Sequence, residues 1–144
     1  MKRLLLILSL VLLCSACTST RLYYWGSNGE TTLYEELAYQ HYDKQTPESI
    51  CKLVCLYEDM TLNPGGTRMA IPPGICAEYG FLLLQPETAN IFATNATKRQ
   101  KKMFSSSNYS VLFAEKGIQM LEKEMTLYPE SATFITPLLK KFKH

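Results

Sequence analysis

Signals that begin helices recur along this chain, and they constrain its fold more than any other feature. Thr32 and Glu35 have the spacing of a capping box, in which a hydroxyl and a carboxylate each accept from an early backbone amide. Thr46 followed by Pro47 is typical of a second helix start, because proline in the first turn sacrifices no hydrogen bond. The sequence therefore predicts two consecutive helices here, the second ending before Asn63.

Further helices are predicted in the second half of the chain. One follows the prolines at 72–73, another runs from Val111 to Leu127 and is stopped by Pro129, and a last one is kinked by Pro137. No stretch of useful length alternates apolar and polar residues as a half-buried strand would. We expect an all-α fold of about five to six helices arranged as hairpins.

The N-terminus has the features of an export signal. Lys2 and Arg3 precede a mostly apolar run from Leu4 to Leu13, which is ten residues long. A membrane-spanning helix needs roughly 20 apolar residues, whereas a secretory leader needs about 7 to 15. We interpret residues 1–16 as a signal peptide and exclude them from the fold.

Cys17 follows the small residues Ser15 and Ala16, and this arrangement resembles a bacterial lipobox, although Cys14 stands where leucine is usual. The resemblance implies cleavage before Cys17 and its modification by a diacylglycerol and an N-acyl chain, with no other cofactor. An ordinary secretory leader cleaved after Ala16, leaving Cys17 as a free thiol, is the alternative.

The resemblance also implies a location. Thr18, rather than an aspartate, follows the cysteine, which in enterobacterial sorting indicates the outer membrane of the cell envelope, with the domain in the periplasm. Loss of Lys2 and Arg3 with the leader leaves equal numbers of basic and acidic residues, so we expect no nucleic-acid partner. We divide the mature chain into a lipid-attached tether, residues 17–30, and a helical domain, residues 31–144.

The tether contains the sequence Leu22-Tyr23-Tyr24-Trp25. These aromatic rings either rest at the bilayer surface or dock on the domain. The turn predicted at Gly26 and Asn28-Gly29 leads directly into the first helix, which favours docking.

Three cysteines remain in the mature domain. Cys51 and Cys55 are spaced as neighbours on a helix face, which is poor geometry for a mutual disulfide. A bridge from Cys76 to one of them is conceivable, and the alternative is three small buried apolar side chains. Because no cysteine pair or nearby histidine has metal-site spacing, we expect no metal.

Gly80 and Gly117 occupy positions similar to the paired small residues of a tetratricopeptide hairpin, and Tyr128-Pro129 resembles its end. The glycines are about 25 residues further apart than in that repeat. We therefore expect an insertion within residues 85–109.

Together with the lipobox, the segments LYYWG, LYEEL, IPPGICAEYGFLLL and EKEMTLYPESATFITPLLKK resemble an uncharacterised family of bacterial lipoproteins, domain of unknown function 4810. Genes of that family often neighbour those of a lipoprotein similar to the curli secretion channel. The resemblance implies an accessory in an envelope assembly whose partner is another lipoprotein, and it supplies no catalytic residue or small-molecule substrate.

The insertion carries a group of basic residues that forms either a solvated face or a contact with anionic lipid or lipopolysaccharide phosphate. These residues are Lys98, Arg99, Lys101 and Lys102. If the insertion is ordered, four apolar residues are expected to hold it, namely Ile91, Phe92, Met103 and Phe104.

The histidines give no support for catalysis, since only two exist: His144 is the terminal residue, and His41 lies late in a predicted helix, where it is interpreted as a partner of the helix dipole and not as a base. We expect no enzyme. The leading hypothesis is an adaptor that grips a partner protein, and the alternative is a carrier or structural lipoprotein that holds lipid or peptidoglycan in an apolar groove. Tyrosines are enriched at protein interfaces, and the candidates here are Tyr34, Tyr39, Tyr42 and Tyr57. The alternative for each of them is packing in the core.

Overall fold

The computed structural model describes residues 20–27 and 31–142. The predicted signal peptide, the lipidation site Cys17, the turn at Asn28-Gly29 and the terminal His144 lie outside these residues. Within them, no helix is both long enough and apolar enough to cross a bilayer.

The described residues form seven α-helices and one 3-10 helix, and they contain no strand. An isolated bridge between Gly65 and Ala70 is the β-type pairing recorded among them. The expected all-α fold is thus confirmed. In order, the helices are α1 (Leu33–Lys44), α2 (Pro47–Leu62), α3 (Ile75–Leu83), α4 (Thr88–Asn95), α5 (Lys98–Lys101), α6 (Tyr109–Leu127), the 3-10 helix (Pro129–Ser131) and α7 (Ala132–Phe142).

The first two helices begin where the capping signals predicted. The Thr32 hydroxyl accepts from the amide of Glu35 at 3.2 Å, and the Glu35 carboxylate accepts from the amide of Thr32 at 3.0 Å. Thr46 caps α2 by accepting from the amide of Ser49 at 3.1 Å. Each cap satisfies amides that the first turn leaves unpaired.

The two glycines predicted to pair do meet, where α3 packs along α6. A Cβ atom on Gly80 would lie 2.7 Å from the carbonyl oxygen of Gly117, and one on Gly117 would lie 2.6 Å from Leu84. Because such distances leave no room for a methyl group, the two backbones approach more closely here than any larger residue permits. The helical hairpin is built on this contact.

The insertion is ordered and contains α4 and α5, which explains why the helices outnumber those expected. Phe92 is fully buried, and its ring meets Phe104 at 5.1 Å and Phe113 at 5.3 Å between centroids. Of the other residues expected to hold the insertion, Ile91 is half-buried against the core. Met103 is exposed, so that expectation is wrong for this side chain, which lies just after α5 on the solvent side.

Buried carboxylates tie the long helices together. Glu58 on α2, 3% exposed, pairs with Lys116 of α6 and accepts from the hydroxyl of Tyr79 on α3 at 2.9 Å. Glu124 of α6 accepts from the amide of Gly74 at 2.7 Å and thereby caps α3, which has no side-chain cap of its own. Each carboxylate is buried with its partners, which is the condition under which buried charge is tolerated.

Pro129 lies in the 3-10 helix that follows α6, and Pro137 lies inside α7. This last helix is amphipathic and buries Ile135 and Leu139 in a second, smaller core with Leu121. The first core is formed by residues of α1 to α4 and α6, and the site described below opens at its edge.

Candidate functional site

A groove of about 490 Å³ opens between the C-terminal half of α1, the N-terminal half of α2 and the end of α3. The connection from α3 to α4 closes its far side. The residues that line it are Ala38, His41, Tyr42, Gln45, Ile50, Leu53, Tyr57, Glu78, Phe81, Leu82, Gln85, Pro86, Glu87, Thr88 and Ile91. Apolar groups make up most of its surface, as is usual for binding pockets, and polar side chains also line it, among them His41, Glu78 and Glu87.

The polar floor of the groove is a carboxylate held by two phenols. The Tyr57 hydroxyl donates to Oε2 of Glu78 at 2.6 Å, and the Tyr34 hydroxyl donates to the same oxygen at 2.9 Å. Burial, and then the charge of Glu78, raises the pKa of both phenols well above the ordinary value. Both phenols therefore remain protonated donors at any physiological pH, and they fix the carboxylate in place.

His41 contributes the second polar group of the groove. Its Nδ1 atom is buried and has no hydrogen-bond partner among the described residues. Burial lowers the pKa of this imidazole, so the ring is neutral near pH 7. A buried nitrogen without a partner costs free energy that a ligand donor or acceptor could recover.

Exposed apolar side chains stand at the rim of the groove. Phe81 on α3 is 48% exposed and Tyr42 on α1 is 79% exposed, although both line the groove. Large apolar groups left in water beside a concave surface mark a place where another molecule can bind. The chemistry offered is burial of apolar groups, together with a fixed negative charge and a neutral imidazole.

The four candidate tyrosines divide between core and surface. Tyr57 is 3% exposed and packs in the core, as the core alternative expected, and its hydroxyl donates to Glu78. Tyr34 is half-buried and packs against the same core. Tyr39 is 75% exposed but does not line the groove, whereas Tyr42 is exposed and does. Tyr42 is the candidate that combines exposure with the groove.

The aromatic residues of the tether dock on the domain. Trp25 stacks on Tyr34 with centroids 5.1 Å apart, and Tyr34 in turn lies 6.2 Å from Tyr57. The Tyr24 hydroxyl donates to the Asp59 carboxylate at 3.0 Å. Of the two explanations for these rings, the geometry supports docking, because a string of rings runs from the tether into the core.

The basic residues of the insertion are brought together on and beside α5. Lys98, Arg99 and Lys102 are exposed, and Lys101 is half-buried and donates to the Ala93 carbonyl. They do not line the groove. The segment packs beside the first turn of α2, where Thr97 and Gln100 share a shallow depression with Pro47.

The three cysteines are free, and no disulfide joins them. Burial raises the pKa of the Cys55 thiol to about 12 and that of Cys76 to about 11, and it raises the pKa of Cys51 as well. The arrangement is that of small apolar side chains, not of reactive thiols. Among the described residues, no group of three potential ligands could hold a metal ion.

The sequence patterns did not single out Glu78, His41 or Phe81 as a group. They lie on two different helices, and their proximity depends on how α1 and α3 both pack on α2. Tyr34 and Tyr57 were candidates from the sequence, but nothing in their spacing indicated that both would donate to the exposed carboxylate of Glu78.

Comparisons of this chain with known protein families, with curated proteins and with solved structures gave no match to any of them. The assignment of a role therefore depends on the geometry of the groove and on the N-terminal sequence.

Proposed function

We propose that this protein is a lipid-anchored adaptor of the bacterial cell envelope, which holds a segment of a partner protein in the groove between α1, α2 and α3. The partner we propose is another envelope lipoprotein, and the protein serves as an accessory subunit of an outer-membrane assembly. The anchor is the lipid on Cys17. No chemical step is part of the proposal.

The observation that carries the proposal is the combination of an apolar rim with a fixed polar floor. Phe81 and Tyr42 offer apolar surface, while Glu78 is held rigidly by its two phenols. A peptide places apolar side chains in such a groove and uses a backbone or side-chain donor to reach the carboxylate. Groups already fixed in place also reduce the entropy lost on binding.

The groove is tested by photo-crosslinking from inside it. A benzophenone amino acid replaces Phe81 or Tyr42 in the full-length protein in its own envelope, and the control carries it at Val111, which is 51% exposed on α6 and outside the groove. We expect one protein species to be crosslinked from both groove positions and not from Val111. Mass spectrometry identifies that species.

A matched pair of substitutions measures the contribution of the rim. With the benzophenone at Tyr42, Phe81→Ser should reduce recovery of the crosslinked partner by about tenfold, since burying a phenylalanine at an interface contributes about 1.5 to 3 kcal/mol. Val111→Ser should leave recovery unchanged. Lipid extracted from the groove in place of a crosslinked protein would contradict the adaptor and favour the carrier.

The anchor is tested separately. Labelled palmitate should be incorporated into the protein and lost in Cys17→Ser, because the thiol is the proposed attachment point. An unlabelled protein would contradict the proposed anchorage, whatever the groove binds.

A further inference from the structure

One corner of the fold exposes apolar side chains beside the N-terminal segment. Leu22, Leu62 and Met69 are 53%, 64% and 71% exposed. Two arginines, Arg21 and Arg68, accompany them. We call these five residues the tether corner.

The backbone fixes the N-terminal segment at this corner. The amides of Thr67 and Arg68 donate to the carbonyls of Arg21 and Leu22, each at 3.0 Å. A Cβ atom on Gly66, which has a φ of 76°, would lie 2.5 Å from the Leu22 oxygen. The segment is therefore pressed against the loop that follows α2 and does not leave the domain freely.

The remaining apolar residues belong to the same end of the molecule. Leu62 is the last residue of α2, and Asp59, about one turn before it, accepts the hydroxyl of Tyr24. Met69 directly follows Arg68, whose amide pairs with the N-terminal segment. All three exposed apolar side chains thus surround the place where the chain enters the domain.

The length of chain that precedes the corner limits how far it can lie from the bilayer. Four residue steps separate Cys17 from Arg21, and an extended chain covers at most about 3.6 Å per residue. The Cα atoms of Cys17 and Arg21 are therefore at most about 14 Å apart. The headgroup region of each leaflet is itself about 5 to 7 Å thick.

We propose that the tether corner lies on the bilayer that holds the Cys17 lipid, with Leu22, Leu62 and Met69 in its interfacial region. This proposal rests on the anchorage proposed above. Arg68 donates to the Tyr23 hydroxyl at 2.8 Å and lies over that ring, and neither contact is with a carboxylate. Its guanidinium can therefore attract anionic headgroups, while the apolar side chains gain burial.

This orientation turns the groove away from the membrane. Leu62 ends α2 at the tether corner, whereas Ile50 of the same helix lines the groove. Twelve residues of helix, about 18 Å, separate Leu62 from Ile50, and five residues, about 7 Å, separate it from Tyr57, the α2 lining residue nearest the corner. The anchor would thus hold the groove open toward the periplasm, where a partner can reach it.

The test uses a fluorophore whose emission depends on its surroundings, attached to Met69→Cys in the lipidated full-length protein. The control is Tyr42→Cys, which is 79% exposed at the groove end. Native thiols should not react near pH 7, because Cys51 and Cys76 are buried and burial raises the pKa of Cys55 to about 12. Vesicles of phosphatidylethanolamine and phosphatidylglycerol are floated in a density gradient, with Cys17→Ser in parallel.

We expect the lipidated protein to float, the Met69→Cys probe to shift to shorter wavelength and the Tyr42→Cys probe to remain unshifted. Flotation with an unshifted Met69→Cys probe, or with equal shifts at both positions, would overturn the tether corner and leave the anchorage standing. Failure of the lipidated protein to float, or flotation of Cys17→Ser to the same extent as the lipidated protein, would overturn the anchorage and with it this orientation.

Discussion

At the residue scale, the buried charged groups are satisfied by partners on other helices. Glu58 has Lys116 and Tyr79, and Glu124 has the amides at the start of α3. His41 differs, because its buried Nδ1 has no partner among the described residues. Within the groove, His41 is thus the lining residue whose buried polar atom is left unpaired.

Removing Lys116 alone from the Glu58–Lys116 ion pair should destabilise the protein more than removing both charges does. Lys116→Met leaves a carboxylate buried beside Tyr79, and we expect the free energy of unfolding to fall by about 3 kcal/mol. The double variant Glu58→Gln/Lys116→Met removes both charges and should recover most of that loss. Urea unfolding followed by circular dichroism measures both. Equal losses in the two variants would show that the pair is not the source of the effect.

His41 should make stability depend on pH. Burial lowers its pKa in the folded state, so the unfolded chain takes up the proton first as the pH falls. The stability is fully present above the unfolded pKa of about 6.5 and is lost as the pH falls through the folded pKa. We expect wild type to lose stability between about pH 7 and pH 5, and His41→Gln to lose less. An identical pH dependence of stability in the two proteins would contradict the assignment.

At the element scale, one backbone contact sets how α3 and α6 pack. Gly80 and Gly117 are opposed, and either Cβ would meet atoms of the other helix at less than normal contact distance. Leu121 of α6 is fully buried at the same place, and a Cβ atom on Gly80 would lie 2.9 Å from it. The contact therefore positions α3, and with it Glu78 and Phe81 of the groove.

Gly80→Ala should destabilise the protein although alanine favours helices. The added methyl would lie 2.7 Å from the Gly117 carbonyl oxygen, a backbone atom that cannot move alone, and overpacking of this kind costs about 1 to 3 kcal/mol. The control is Ser110→Ala, an exposed substitution in the first turn of α6, which should change stability by less than about 0.5 kcal/mol. Thermal unfolding compares them, and an unchanged midpoint for Gly80→Ala would contradict the close packing.

The sequence predicted those features that depend on neighbouring residues. The caps at Thr32 and Thr46 and the stop at Pro129 are local, and the structure places each of them as predicted. The pairing of Gly80 with Gly117 was predicted because a known hairpin pattern specifies it. The groove was not predicted, because no single segment contains its polar floor. In addition, the position of Tyr57 in the helical pattern is the same whether its ring packs in the core or faces a partner.

At the scale of the whole molecule, the two ends of α2 have different surfaces. The tether corner lies at its C-terminal end, and the groove and the basic residues near α5 lie at its N-terminal end. The tether corner and the basic residues of the insertion therefore cannot both contact the same bilayer. If the corner rests on the membrane, the basic residues Lys98, Arg99 and Lys102 are held away from it.

This arrangement predicts which basic side chains contribute to weak binding of the protein to anionic vesicles. In a chain that begins at Thr18 and lacks the lipid, Arg68→Gln should weaken binding to phosphatidylglycerol vesicles by about fivefold, since a basic residue near such a surface contributes about 1 kcal/mol. The triple variant Lys98→Gln/Arg99→Gln/Lys102→Gln should bind as wild type does, although it loses three charges. Co-sedimentation at low salt measures both. The reverse result would make the insertion the membrane-binding surface and would turn the groove toward the bilayer.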